Sequence, residues 1–127
     1  MFLTGYPPRD LLERNWFIEG AGRALDRLRG MSKDHPNTGI LVGTVLRSEK
    51  SPGKGLHNAA VLLKDGRALA TVHKTLLPSY DVFDEARYFD PGDEVHAIPF
   101  AGEKLGVSIC EDAWNDPDLW HRPVYRR

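Results

Sequence analysis

HNAAVLLKDGRALATVHK, residues 57–74, decides how the rest of the chain is read. Two largely apolar runs flank Asp65-Gly66, a dipeptide that readily takes the two positive φ angles of a tight hairpin turn. The stretch is therefore expected to form two antiparallel strands, the second ending at Lys74, where polar side chains leave a core. Upstream, GILVGTVL (39–46) is a continuous apolar run of the length and β-branched content of a strand covered on both faces. The polar, turn-rich RSEKSPGKG (47–55) joins it to the hairpin. Earlier still, Leu11, Leu12, Ile18, Ala21, Leu25 and Leu28 recur at roughly helical spacing between Asp10 and Arg29. Asp10 and Asn15 are both candidate N-caps, which predicts a short helical turn followed by a longer helix. Gly20 and Gly22 weaken its middle, and Pro36 in SKDHPNTG (32–39) prevents its continuation.

Beyond the hairpin the period is lost. LLPSYDVFDEARYFDPGDE (76–94) contains two prolines and reads as a long ordered loop with one helical turn, the kind of segment that often carries function. EVHAIPF (94–100) and KLGVSIC (104–110) read as a second hairpin about Ala101-Gly102-Glu103, and WNDPDLWHRPVYRR (114–127) shows no closing strand or helix. The expected order is helix, strand, hairpin, loop, hairpin: an α/β arrangement with one helix over at least five strands. Such a sheet leaves an apolar face bare, so a second layer is expected from further sequence or another subunit. The opening MFLTGYPPRD reads as if begun in mid-phrase.

Composition narrows the function classes. At 127 residues, 41% apolar and 28% charged, the chain has the make-up of a soluble domain or part of one. Seventeen Lys and Arg are interspersed with eighteen Asp and Glu, which argues against a nucleic-acid partner, and no apolar run is long enough to span a bilayer. One cysteine cannot form an internal disulfide, and no secretory leader pattern opens the chain, so a cytoplasmic setting is expected. His57, His73, His96 and His121 lack metal-ligand spacing, and SPGKG (51–55) lacks the spacing of a phosphate-binding loop.

Three residues stand out chemically. Cys110 ends the run LGVSI and is followed by EDAWND, so it falls where a strand hands over to a turn or short helix. A thiol there can be presented as a nucleophile, although Glu111 and Asp112 would oppose its ionisation unless a cation stood nearby. The commoner fate of a lone cysteine is that of a small buried hydrophobe. Lys74 is the candidate cation, able to pair with a thiolate or hold a developing oxyanion, and is otherwise a surface lysine at a strand end. Glu85, set among Phe83, Tyr88 and Phe89, is a candidate desolvated acid or base, or a partner for Arg87 or Lys74.

Read together, LTGYPPRDLL (3–12), HNAAVLLKDGRALATVHKTLLPSYDVFDEARYF (57–89) and GVSICEDAWND (106–116) resemble the nitrilase superfamily of carbon–nitrogen hydrolases. Within it they are most similar to the glutaminase domains of glutamine-dependent NAD synthetases, over nearly the whole chain. The resemblance implies a partial nitrilase-type α-β-β-α sandwich, usually doubled across a homo-oligomer, with residues 1–127 a fragment of a glutaminase domain. It implies Cys110 as the nucleophile on the glutamine amide, Lys74 as the oxyanion and proton-transfer lysine, and Glu85 as a supporting second glutamate. It also implies substrate contacts from Tyr6, Trp114 and the backbone N–H of Glu111, with no metal. The family's general-base glutamate falls immediately before Met1, so the chain by itself is expected to be inactive or nearly so. ATP and magnesium, like the synthetase domain or subunit that receives the ammonia, are expected outside this sequence. A free-standing nitrilase-type amidase, or an inactive folded fragment, are the alternatives.

Overall fold

The computed structural model describes residues 1–114. After a 3₁₀ turn at Arg9–Glu13 comes helix α1 (Asn15–Met31), followed by a second short turn at Ser32–Asp34. Strands β1 (Ile40–Arg47), β2 (Leu56–Lys64) and β3 (Arg67–His73) form an antiparallel meander in the order β1-β2-β3. A four-residue helix α2 (Glu85–Tyr88) interrupts the loop that follows. Strands β4 (Ile98–Phe100) and β5 (Glu103–Leu105) pair as a separate two-stranded hairpin. A 3₁₀ turn at Cys110–Trp114 ends the described chain, and the expectation for WNDPDLWHRPVYRR lies outside the described residues apart from Trp114.

The hairpin at 57–74 forms as its turn requires. Asp65 and Gly66 both have positive φ, 48° and 73°. Gly66 is also pressed against Lys33, whose side chain a Cβ at this position would meet at 2.5 Å, and its N–H bonds the buried Ser32 hydroxyl at 2.8 Å. The end of α1 and the tip of the hairpin are thus tied at one point. Leu62 pairs with Ala70 and Leu63 with Ala68, so Leu69 is a bulged extra residue, turned outward and 49% exposed.

β2 is the central strand, and all its residues but Lys64 are buried. Val61 and Leu63 face α1 through Leu25 and Leu28. Leu62 and Val72 face the other way, onto Ile98, Phe100 and Leu105 of the β4-β5 hairpin. A third cluster, Leu12, Ile18, Ala21, Val45, Leu56 and Phe89, joins α1 to β1, β2 and the end of α2.

Four expectations are corrected. The five strands do not make one sheet: the chain after β3 runs through the long loop, and the second hairpin folds over the far face, filling part of the surface expected to be bare. KLGVSIC is strand only to Leu105, after which Gly106–Ile109 runs without a ladder partner. β1 is not covered on both faces, since it flanks β2 on one side of the meander and leaves Leu41 48% exposed. Pro8 and Arg14 occupy the cap positions expected for Asp10 and Asn15, neither with a side-chain capping bond. Asp10 instead accepts a hydrogen bond from the Tyr88 hydroxyl, and Asn15 one from Arg47.

Candidate active site

Lys74 is the residue after β3. Its N–H continues the ladder to the Asn58 carbonyl at 2.8 Å, and its own carbonyl accepts from Gly92 N–H at 2.8 Å. Held on both sides, the backbone sends the side chain inward: Lys74 is only 1% exposed. The surface-lysine reading therefore fails. A buried ammonium needs a counter-charge, and Glu85 supplies it at 2.7 Å, itself only 4% exposed. Of the two cations offered by sequence, Glu85 takes Lys74, while Arg87 turns outward toward Glu13. Glu85 is placed by the single turn of α2, where its N–H bonds the Pro78 carbonyl and its own carbonyl accepts from Phe89.

Asn58, on β2, donates weakly to Glu85 Oε1 at 3.5 Å. Its own Oδ1 is buried with no hydrogen-bond partner among the described residues. Sequence patterning did not single Asn58 out, because it sits inside an apolar strand with no motif spacing. A polar residue amid a run of buried ones was the available signal.

Cys110 is exposed and free, so the buried-hydrophobe reading fails as well. It stands at the first position of the 3₁₀ turn with φ of +52°, a left-handed conformation that costs a non-glycine residue about 1 kcal/mol or more. The residue thus stands at a sharp turn, but no strand runs up to it, because β5 ends at Leu105. The acids after it do not crowd the thiol. Glu111 is buried and accepts from the Tyr80 hydroxyl at 2.9 Å, and Asp112 turns back to the chain after Lys74. Asp112 Oδ1 takes bonds from Thr75 N–H (3.0 Å), Thr75 Oγ1 (2.8 Å) and Leu76 N–H (2.9 Å), and Oδ2 accepts from Ile109 N–H at 3.2 Å.

Tyr6 lies beside Phe83, with ring centroids 6.1 Å apart, and Phe83 in turn meets Tyr80 edge-on at 5.7 Å. Burial, followed by a hydrogen bond to Glu85, pushes the Tyr6 phenol above its ordinary range, with smaller contributions from the charges of Cys110 and Glu111. Tyr80 is likewise raised, chiefly by its hydrogen bond to Glu111. The Met1 amine is lowered mainly by burial and feels Glu85, Lys74 and Cys110 in turn. The structure thus brings Tyr6, Lys74, Glu85, Cys110 and Glu111 into one neighbourhood that also includes the start of the chain. Trp114 closes the same 3₁₀ turn as Cys110 with its ring more than half exposed. Among the described residues no cluster of His, Cys, Asp and Glu could hold a metal ion.

Residues 1–122 match the carbon–nitrogen hydrolase family. The chain belongs to the carbon–nitrogen hydrolases. Within that family it is similar to the glutamine-dependent NAD(+) synthetase of Synechocystis sp., 42% identical over 98% of this chain and 22% of the relative. Similarity to the Thermotoga maritima protein of the same name is 40% over 91% of this chain and 19% of the relative. This carbon–nitrogen hydrolase chain therefore spans about a fifth of the length of the relatives it matches. Its fold superposes on the Acinetobacter baumannii glutamine-dependent NAD+ synthetase solved with adenosine diphosphate, with a TM-score of 0.69 and 34% identity over 87% of this chain and 20% of that one. A carbon–nitrogen hydrolase from Helicobacter pylori shares the fold at a TM-score of 0.62 and 23% identity, over 89% of this chain and 36% of that one. The expected partial nitrilase-type α/β fold is thus the one observed. No helix among the described residues is long and apolar enough to cross a membrane.

Proposed function

We propose that this chain is the nucleophile-bearing part of a glutaminase domain, and that it hydrolyses the side-chain amide of glutamine to supply ammonia for NAD synthesis. The observation that carries the reading is the buried Lys74–Glu85 pair in the same neighbourhood as an exposed cysteine held at positive φ. In the proposed reaction the Cys110 sulfur attacks the amide carbon, and Lys74 steadies the charge developing on its oxygen. The carbon–nitrogen bond breaks, ammonia leaves with the proton taken from the thiol, and water cleaves the glutamyl thioester to glutamate. Tyr6, Trp114 and the Glu111 N–H are assigned to substrate contact, and Glu85 holds Lys74 and the substrate side of the site.

The proposed partners are glutamine, a synthetase domain or subunit that consumes ammonia with ATP and magnesium, and a second copy of the chain, in the cytoplasm. The test is ammonia release from glutamine by residues 1–127, by its Cys110→Ala variant, and by a chain extended into the sequence on both sides. Cysteine-dependent ammonia release is expected. Activity that survives Cys110→Ala in the extended chain would refute the assignment.

A further inference from the structure

We infer that Asp112 is a positioning residue that sets the separation of the nucleophile and the oxyanion lysine. This rests on the proposed roles of Cys110 and Lys74. One carboxylate spans two segments remote in sequence: three of its four bonds go to Thr75 and Leu76, directly after Lys74, and the fourth goes to Ile109, directly before Cys110. The Asp112 N–H also returns to the Ile109 carbonyl at 3.2 Å, so the turn around Cys110 is closed on itself before it is tied to the lysine strand. Lys74 cannot give way on its side, because Asn58 and Gly92 fix its backbone and Glu85 its ammonium. Cys110 is exposed and at positive φ, and the turn it opens is tied to the lysine strand through Asp112. The carboxylate of Asp112 therefore holds an unfavourable backbone conformation at a fixed place relative to the strand end that carries the cation. A misplacement of about 1 Å at a reacting group costs roughly 10²-fold in rate.

The variants differ in which bonds they spare. Asp112→Asn keeps an oxygen for Thr75 and Leu76 but turns an amide donor toward the Ile109 N–H. Asp112→Ala removes all four bonds, and Thr75→Val removes only the hydroxyl. In the intact protein, kcat for glutamine hydrolysis is expected to fall about 10-fold in Asp112→Asn and about 10²-fold in Asp112→Ala, with KM within threefold. Thr75→Val is expected to lose a few-fold. With Cys110 no longer held at one place, its rate of alkylation by iodoacetamide at fixed pH is expected to change in the same order. The split between kcat and KM distinguishes positioning from a general loss of stability, and thermal unfolding of each variant checks its fold. Should Asp112→Ala fail to fold, Asp112→Asn and Thr75→Val carry the test. A folded Asp112→Asn with wild-type kcat and an unchanged alkylation rate would overturn the inference, provided Cys110→Ala is inactive. An active Cys110→Ala would instead overturn the reading on which the inference rests.

Discussion

Removing one member of the Lys74–Glu85 pair should damage stability far more than removing both. The pair is 2.7 Å apart with both side chains almost wholly out of solvent. In Glu85→Leu the ammonium of Lys74 remains buried without the carboxylate that pairs it, and the weak 3.5 Å contact from Asn58 to that carboxylate also disappears. Stranding a buried charge in this way typically costs about 3–5 kcal/mol. Against a total stability of roughly 5–15 kcal/mol, that is a fifth or more. With a urea dependence of about 2 kcal/mol per molar, the midpoint should fall by about 1.5–2.5 M. Lys74→Met should do the same from the other side, leaving the carboxylate unpaired. The double variant Lys74→Met/Glu85→Leu strands nothing and should return to within about 1 kcal/mol of the parent, since a buried ion pair is often worth no more than its apolar replacement. Urea unfolding followed by tryptophan fluorescence measures all four proteins. Single variants within about 0.5 kcal/mol of the parent would refute the argument, because they would show that the surviving charge reaches water or loses its proton at little cost.

Asp90 tests the loop that returns β2 to the site: burial raises its carboxyl, but bonds from the Lys54 and Gly55 N–H groups and Ser48, with the charge of His57, hold it below its ordinary value. Its contribution is present above about pH 4 and lost as pH falls through the lowered folded value, so the stability gap to Asp90→Asn should close on acidification from pH 7 to 3. His73, stacked on His57 at 4.0 Å, is lowered chiefly by burial and then by the charges of His57 and Lys50. Stability should therefore decline once pH drops below about 6.5 and level off beneath the lowered folded value, and His73→Phe should flatten that limb in melting curves from pH 8 to 5. Gly66→Val puts a β-branched residue at φ +73° against Lys33 and should cost at least about 1 kcal/mol in urea unfolding.

The parts of the fold legible in the sequence were those set by local chemistry. Asp65-Gly66 sufficed to predict the first hairpin because its turn type admits few other residues, and α1 followed from the apolar spacing of Ile18, Ala21, Leu25 and Leu28. What pattern alone missed was tertiary. Nothing between Leu76 and Glu94 shows that the chain crosses to the far face of the sheet, so five strands looked like one sheet. The burial of Lys74 could not be read from LATVHK, since a lysine ending a strand faces solvent or core according to what lies opposite, here a carboxylate from another segment. Tyr80 and Asp112 were equally illegible, because each gains its meaning from a partner more than thirty residues away.

The two halves of the site differ in how far apart their partners lie along the chain. Lys74 and Glu85 are eleven positions apart, whereas Asp112 reaches back thirty-seven to Thr75. Closing the longer loop costs roughly 1 kcal/mol more in chain entropy, and its reward comes only once the lysine strand is already in place. The difference in loop length predicts an order of assembly: the charge pair forms with the β2-β3 hairpin, and the turn that carries Cys110 is seated afterward. During refolding, the amides of β2 should gain exchange protection before those of Thr75 and Leu76. A chain that follows this order seats Cys110 only when its last long-range contact is made.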